Sequence, residues 1–273
     1  MSSFALGYGV LAEINSLSAK LPSLPPIIRY FDDFYNETRS IRPQANEISL
    51  ELDGGRNFLD FNQFGPAAPV VKHVLVDWLL RVDPHTVASY FRHVRSYVLS
   101  RGLGSLTYLV VAPPFDARAH WNTFVLSDVT AEQSWGLRAL LHSLCRLNIG
   151  HWSPPLASII RGLKSPKVDT YRVVRAGDCF LPLDQQAMII NHIDAMRATL
   201  AADPDAMDGT GLRDTCMLIM SYQYAFRPGQ IARIETADVR LYSTGAVHVA
   251  VSLIKQKDNS KRIRVTRRIK REW

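Results

Sequence analysis

With 273 residues, 47% hydrophobic and 21% charged, the chain has the composition of a globular protein that can bury a core, which excludes a largely disordered polypeptide. No apolar run reaches the roughly 18 residues needed to span a bilayer. The opening MSSFALGYGVLAEINS lacks the basic region of a secretory signal, so no membrane role is expected. The net charge of +7 is local: between Lys255 and Trp273, nine basic side chains stand against two acidic ones, and the rest of the chain is neutral overall. A short cationic segment of this kind suits contact with phosphates and release of their counterions, although a solvated basic tail has the same composition.

Residues 1–65 read as an irregular extension. Pro22, Pro25 and Pro26 break any helix there, because proline removes a backbone donor and clashes inside helices. Ile48, Leu50 and Leu52 alternate with polar residues, and Asp53-Gly54-Gly55 offers a turn before Phe58 and Phe61. That pattern predicts a small hairpin.

Residues 66–160 read as a helical domain. Asp83 can cap a helix that starts at Pro84. Val87, Tyr90, Phe91, Val94, Tyr97 and Val98 follow at helical spacing, and Gly102 supplies a stop. Arg92 and Arg95 lie off that apolar stripe and are candidate DNA contacts. A second helix is expected from Thr130, with Gln133 completing a capping box and Leu137, Leu140, Leu141 and Leu144 as its buried stripe.

Residues 161–180 hold five basic and two acidic side chains with little periodicity, the composition of a linker. Lys164 and Lys167 would meet a DNA backbone if the linker crosses one, and would simply be solvated if it does not. In residues 181–273, Met188, Ile189, Ile190, Ile193 and Met196 mark a helix, and Leu212 to Phe226 a strongly apolar one. Pro228 opens a short helix containing Ile231 and Ile234. Val247, Val249, Val251 and Leu253 alternate, as do Ile263 and Val265, so a β-hairpin is expected with a basic tip between them. Lys255, Lys261, Arg262 and Arg264 around that tip are further candidate DNA contacts. The fold class expected is mainly α with a small hairpin or sheet (α+β). Cys145, Cys179 and Cys216 are odd in number and widely spaced, which fits reduced thiols in a cytoplasmic protein better than disulfides or zinc.

The stretch LRDTCMLIMSYQYAFRPGQIARIETADVRL resembles the first catalytic box of the tyrosine recombinase (phage integrase) family. There an apolar helix ends at an arginine, followed by a short helix and an Asp-hydrophobic pair. The arginine falls on Arg227 and the pair on Asp238-Val239. VHVAVSLIKQKDNSKRIRV resembles the family's hairpin with a catalytic lysine, which falls on Lys257, with Lys255 as the alternative. DPHTVASYFRHVRSYVLSRG looks like a helix of the family's SAM-like core-binding domain.

The resemblance implies a helical DNA clamp followed by part of a catalytic domain, with double-stranded DNA as partner and a homo-oligomer assembled on it. It also implies the chemistry. A tyrosine attacks a phosphodiester, leaving a phosphotyrosine and a free 5′-hydroxyl, and the bond energy is conserved so that no cofactor is required. Arg227 would grip two non-bridging oxygens as they gather charge, and Lys257 would protonate the departing 5′-oxygen.

Departures accompany the likeness. No His-x-x-Arg occurs in the sequence, and no His or Tyr follows Lys257. Gln230 stands where the family often has glutamate. The chain is therefore expected to be a C-terminally truncated recombinase, inactive alone and exposing apolar surface that the absent helices would cover. Two alternatives stay open: a non-catalytic DNA-binding protein of the same shape, and a helical interaction protein with a basic nucleic-acid-binding tail.

Overall fold

The computed structural model describes residues 7–32, 37–52, 55–169, 171–177, 180–252 and 264–270. Helices predominate, joined by small antiparallel sheets, and the chain divides into two units, Met1–Asp169 and Thr170–Trp273.

In the first unit, helix α1 (Tyr8–Ala19) ends before the prolines and seats Ile14 in the core. Strands β1 (Ile28–Asp32) and β2 (Glu37–Ile41) pair antiparallel, as do β3 (Glu47–Leu52) and β4 (Gly55–Asp60). The period-two rule holds in both hairpins. Ile28 and Tyr30 point inward from β1, and Ile48, Leu50 and Leu52 from β3. Arg39 reaches Asp32, which is buried, and Glu51, and the Tyr30 hydroxyl accepts the Glu51 N–H at 3.0 Å. The expectation of an irregular extension is corrected here: the hairpin at 47–60 was anticipated, but α1 and the β1–β2 hairpin were not. Their apolar residues join the same core as the helices. A strand whose third inward position is an aspartate hides its alternation, and the Arg39 partner offsets the cost of that burial.

A tight turn at Asn62–Ala67 leads into α2 (Ala68–Leu79), α3 (Pro84–Arg101), α4 (Leu103–Val111), α5 (Pro114–His120), a single π-turn at Trp121–Val125, α6 (Ala131–Leu147) and α7 (Ala157–Arg161). The expected caps form. The Asp83 carboxylate accepts the His85 N–H at 2.9 Å, and Gly102 ends α3 at φ +83°. Thr130 and Gln133 exchange side-chain and backbone bonds at 3.2 and 3.1 Å, each cap contributing about 1 kcal/mol. Val87, Phe91 and Val94 of α3 face Leu137, Leu140, Leu141 and Leu144 of α6, all within 2% of complete burial. At Gly136 a β-carbon would lie 2.7 Å from the His93 Cβ, so only glycine lets α3 and α6 cross this closely.

The expected linker at 161–180 is also revised at its start. Leu163 is buried, the Trp121 indole N–H donates to the Lys164 carbonyl at 2.8 Å, and Arg138 donates to the Ser165 hydroxyl at 2.8 Å. Residues up to Ser165 are thus fastened to the first unit, because the indole and guanidinium supply partners that composition does not reveal.

The second unit holds α8 (Arg172–Ala176), α9 (Leu183–Ala202), α10 (Gly209–Tyr224), α11 (Pro228–Ile231) and strands β5 (Val239–Leu241), β6 (Val247–Ser252) and β7 (Arg264–Ile269), with β6 central in an antiparallel sheet. Asp208 caps α10 by accepting the Gly211 N–H at 2.7 Å, and Ala225 at φ +51° closes it. The expectation for this strongly apolar helix is that part of its apolar surface stays uncovered. Leu212 and Met217 are more than 40% exposed, and among the described residues of the helix only Thr215 is buried. The helix packs chiefly on α9 and α11, which cover a narrow strip of it.

Candidate functional site

Arg227 occupies the N-cap of α11, with extended backbone and Pro228 at the first helical position, where its missing N–H costs nothing. The Arg227 carbonyl accepts from the Gln230 and Ile231 N–H groups at 2.8 and 3.1 Å, and its own N–H donates to the Gln230 side-chain oxygen at 3.0 Å. Its guanidinium side is exposed. The Gln230 amide nitrogen donates to the Ser252 carbonyl at 2.9 Å. One side chain thus holds the arginine turn with its oxygen and the end of β6 with its nitrogen. A glutamate at 230 could accept from Arg227 but could not donate to Ser252, so the glutamine is fitted to this bridge.

Asp238 is 4% exposed and accepts the Glu235 N–H at 3.0 Å. Arg264 forms an ion pair with the same carboxylate. The Arg264 charge, expected to face DNA, is matched here to a buried aspartate, because leaving that carboxylate unpaired in a dry site would cost several kcal/mol. The pair fastens β7 to the turn that precedes β5. At the far end of β7, the Lys270 N–H donates to the Tyr224 hydroxyl at 2.7 Å, tying the strand to the end of α10. Lys257 and its alternative Lys255, with Lys261 and Arg262, lie outside the described residues, as does Cys179.

The remaining candidates belong to the first unit. Arg92 and Arg95 lie on α3 and line, with Ser96, Leu99 and Ser100, an open depression of about 370 Å³. Arg92 is exposed, whereas Arg95 is half-buried and donates to the Gln63 side-chain oxygen at 2.7 Å. Lys164 and Lys167 are exposed, the first on the backbone that Trp121 and Arg138 hold down.

Arg138 and His142 of α6 lie near Arg161 and add to the basic residues expected at the start of 161–180. Burial, and then the positive fields of Arg138, Arg146 and Arg161, hold the His142 imidazole below the ordinary histidine range. The signal was present, because Arg138, His142 and Arg146 recur every four residues outside the leucine stripe of α6.

A buried chain of polar groups also escaped notice. The Tyr97 hydroxyl, Ser105 hydroxyl and His120 Nε2 are linked at 2.6 and 2.7 Å, and burial pushes the His120 imidazole to a lower pKa. These groups are sealed in the core, where no substrate reaches a serine–histidine pair. Among the described residues no cluster of histidine, cysteine and carboxylate side chains could hold a metal ion, Cys145 and Cys216 are free thiols, and no helix is long and apolar enough to cross a membrane. Compared with protein-family models, curated proteins and solved structures, the chain matches none.

Proposed function

We propose that the chain is an integrase-like DNA recombinase of the tyrosine type, or part of one, that grips double-stranded DNA with Arg227 and the basic segment after β6. The observation that carries this is the Gln230 bridge. It joins an exposed arginine on a rigid helix N-cap to the strand end from which the lysine-rich segment continues. A planar guanidinium fixed at its backbone loses little freedom when it grips two oxygens of a phosphodiester. A lysine arriving from the neighbouring strand would serve as proton donor to the leaving oxygen. In that assignment Arg227 and Lys257 are the catalytic residues, Lys255, Lys261 and Arg262 contact the backbone, and Arg92 contributes from the helical unit.

Selection from a library of randomised duplexes tests the proposal. The chain is expected to enrich one sequence, and Arg227→Ala to weaken binding to it by about tenfold, the loss of one charge-assisted contact. Uniform recovery of the library, with affinity following salt alone, overturns it. The second reading is a DNA-binding protein that keeps the shape without the chemistry. With no Tyr after Lys257, the chain alone is expected to form no covalent adduct on nicked duplex under either reading, and an adduct would overturn the expectation that it is inactive by itself.

A further inference from the structure

We propose that the outer face of α6, together with the start of the segment after α7, is a docking surface for single-stranded DNA, with Trp135 as a platform for an unpaired base. The placement starts from helical geometry. Trp135, Arg138 and His142 follow one another at three and four residues, so they share a face and span about two turns. Arg161 and Lys164 are brought beside this row because Arg138 donates to the Arg161 carbonyl at 3.4 Å and to the Ser165 hydroxyl at 2.8 Å. Both of these partners are neutral oxygens, so neither offsets the charge of Arg138. Arg146, next along the row, is instead committed to the buried Asp77. The crowding of positive charge is felt by His142, whose cationic form is disfavoured by burial and by the three arginines around it. An anion laid along the row relieves that repulsion.

Trp135 identifies the partner. Trp78, Trp121 and Trp152 are at most 2% exposed, whereas Trp135 is 58% exposed. An indole left in water beside a row of cations is the pairing that single-strand-binding surfaces use, the cations following the phosphates and the ring taking a base face. In a duplex the base faces are already stacked on one another, so an indole gains nothing there, and the cations alone would act. This surface belongs to the first unit and Arg227 to the second, and the proposal does not depend on the recombinase assignment.

The test uses the full chain, fluorescent oligothymidylate and a duplex of equal length, each at about 50 mM and about 200 mM salt. Oligothymidylate is expected to bind. Trp135→Ala is expected to weaken that binding by about tenfold, the lower range for one stacked base, while leaving duplex affinity unchanged. Trp135→Phe retains a ring and restores most of the loss. Arg161→Gln with Lys164→Gln weakens both ligands and flattens the salt dependence. Thermal midpoints equal to wild type identify the losses as interface effects, and a variant that unfolds is replaced by its Phe or Gln counterpart at the same surface position. Absence of binding to oligothymidylate, wild-type affinity in Trp135→Ala, or equal losses on single strand and duplex would each overturn the proposal. Selective recovery of one duplex sequence dependent on Arg227 is a separate outcome and leaves this result unaffected.

Discussion

The two units are built to different densities. In Met1–Asp169 a continuous core runs from Ile14 to Leu163, threading a sheet pair and all seven of the helices α1 to α7. In Thr170–Trp273 the buried apolar side chains among the described residues are Ile193, Ile231, Val249 and Val251. The order in the second unit comes instead from single polar ties: Gln230 to Ser252, Arg264 to Asp238, and the Lys270 N–H to Tyr224. A densely packed body resists local opening, whereas a unit held by a few hydrogen bonds opens at low cost. The more weakly packed unit carries Arg227, the residue proposed to work on a phosphate.

The largest effect expected from this contrast separates two leucines. Leu140→Ala removes a fully buried side chain from α6 and is expected to lower stability by about 2–5 kcal/mol. Leu212→Ala, at a site 44% exposed on α10, is expected to change it by less than about 0.5 kcal/mol. Denaturant titration of both variants checks this, and equal losses would erase the distinction between the units.

A smaller effect probes the polar ties. Gln230→Glu keeps the acceptor for the Arg227 N–H and removes the donor to Ser252, at a cost of about 1 kcal/mol. The loss is expected to appear as faster amide hydrogen exchange in residues 227–231 and 247–252 with no change in α3 or α6. Faster exchange throughout the chain would mean that the units are not independent in stability.

The mildest is graded with pH. Burial holds the His120 imidazole below its ordinary 6.5, and His93 is displaced the same way, also by burial first. Between the lowered folded value and about 6.5 the unfolded chain binds more protons, so stability is complete above that range and declines as pH falls. His120→Gln is expected to flatten the slope of the first unit's unfolding free energy below pH 6.5. An unchanged slope would remove His120 from the account.

What sequence could and could not disclose follows the range of each interaction. The α3 cap and stop, the Thr130–Gln133 box, Pro228 at the start of α11 and the alternation in β3 and β6 all depend on residues within a few positions of one another, and they are legible. Less legible are features settled by a distant partner. Asp32 is accommodated inside β1 with the help of Arg39, seven positions away on β2. Lys164 is fixed by an indole more than forty positions away. Arg264 looks like a phosphate ligand until Asp238 is placed beside it. Which apolar residues of α10 stay in water, Leu212 and Met217 among them, depends on the neighbours that pack on the helix. In the candidate site, Arg227 and the turn around it were visible, and the row on α6 was visible in principle, since its four-residue spacing needs no partner to be seen.

The Gln230 amide has a mechanical consequence. It carries no charge, so the link between the Arg227 turn and β6 is indifferent to ionic strength and to acidity across the range in which the histidines titrate. The tie between the Arg227 turn and the central strand thus rests on two neutral hydrogen bonds, and neither added salt nor mild acid removes a partner from it.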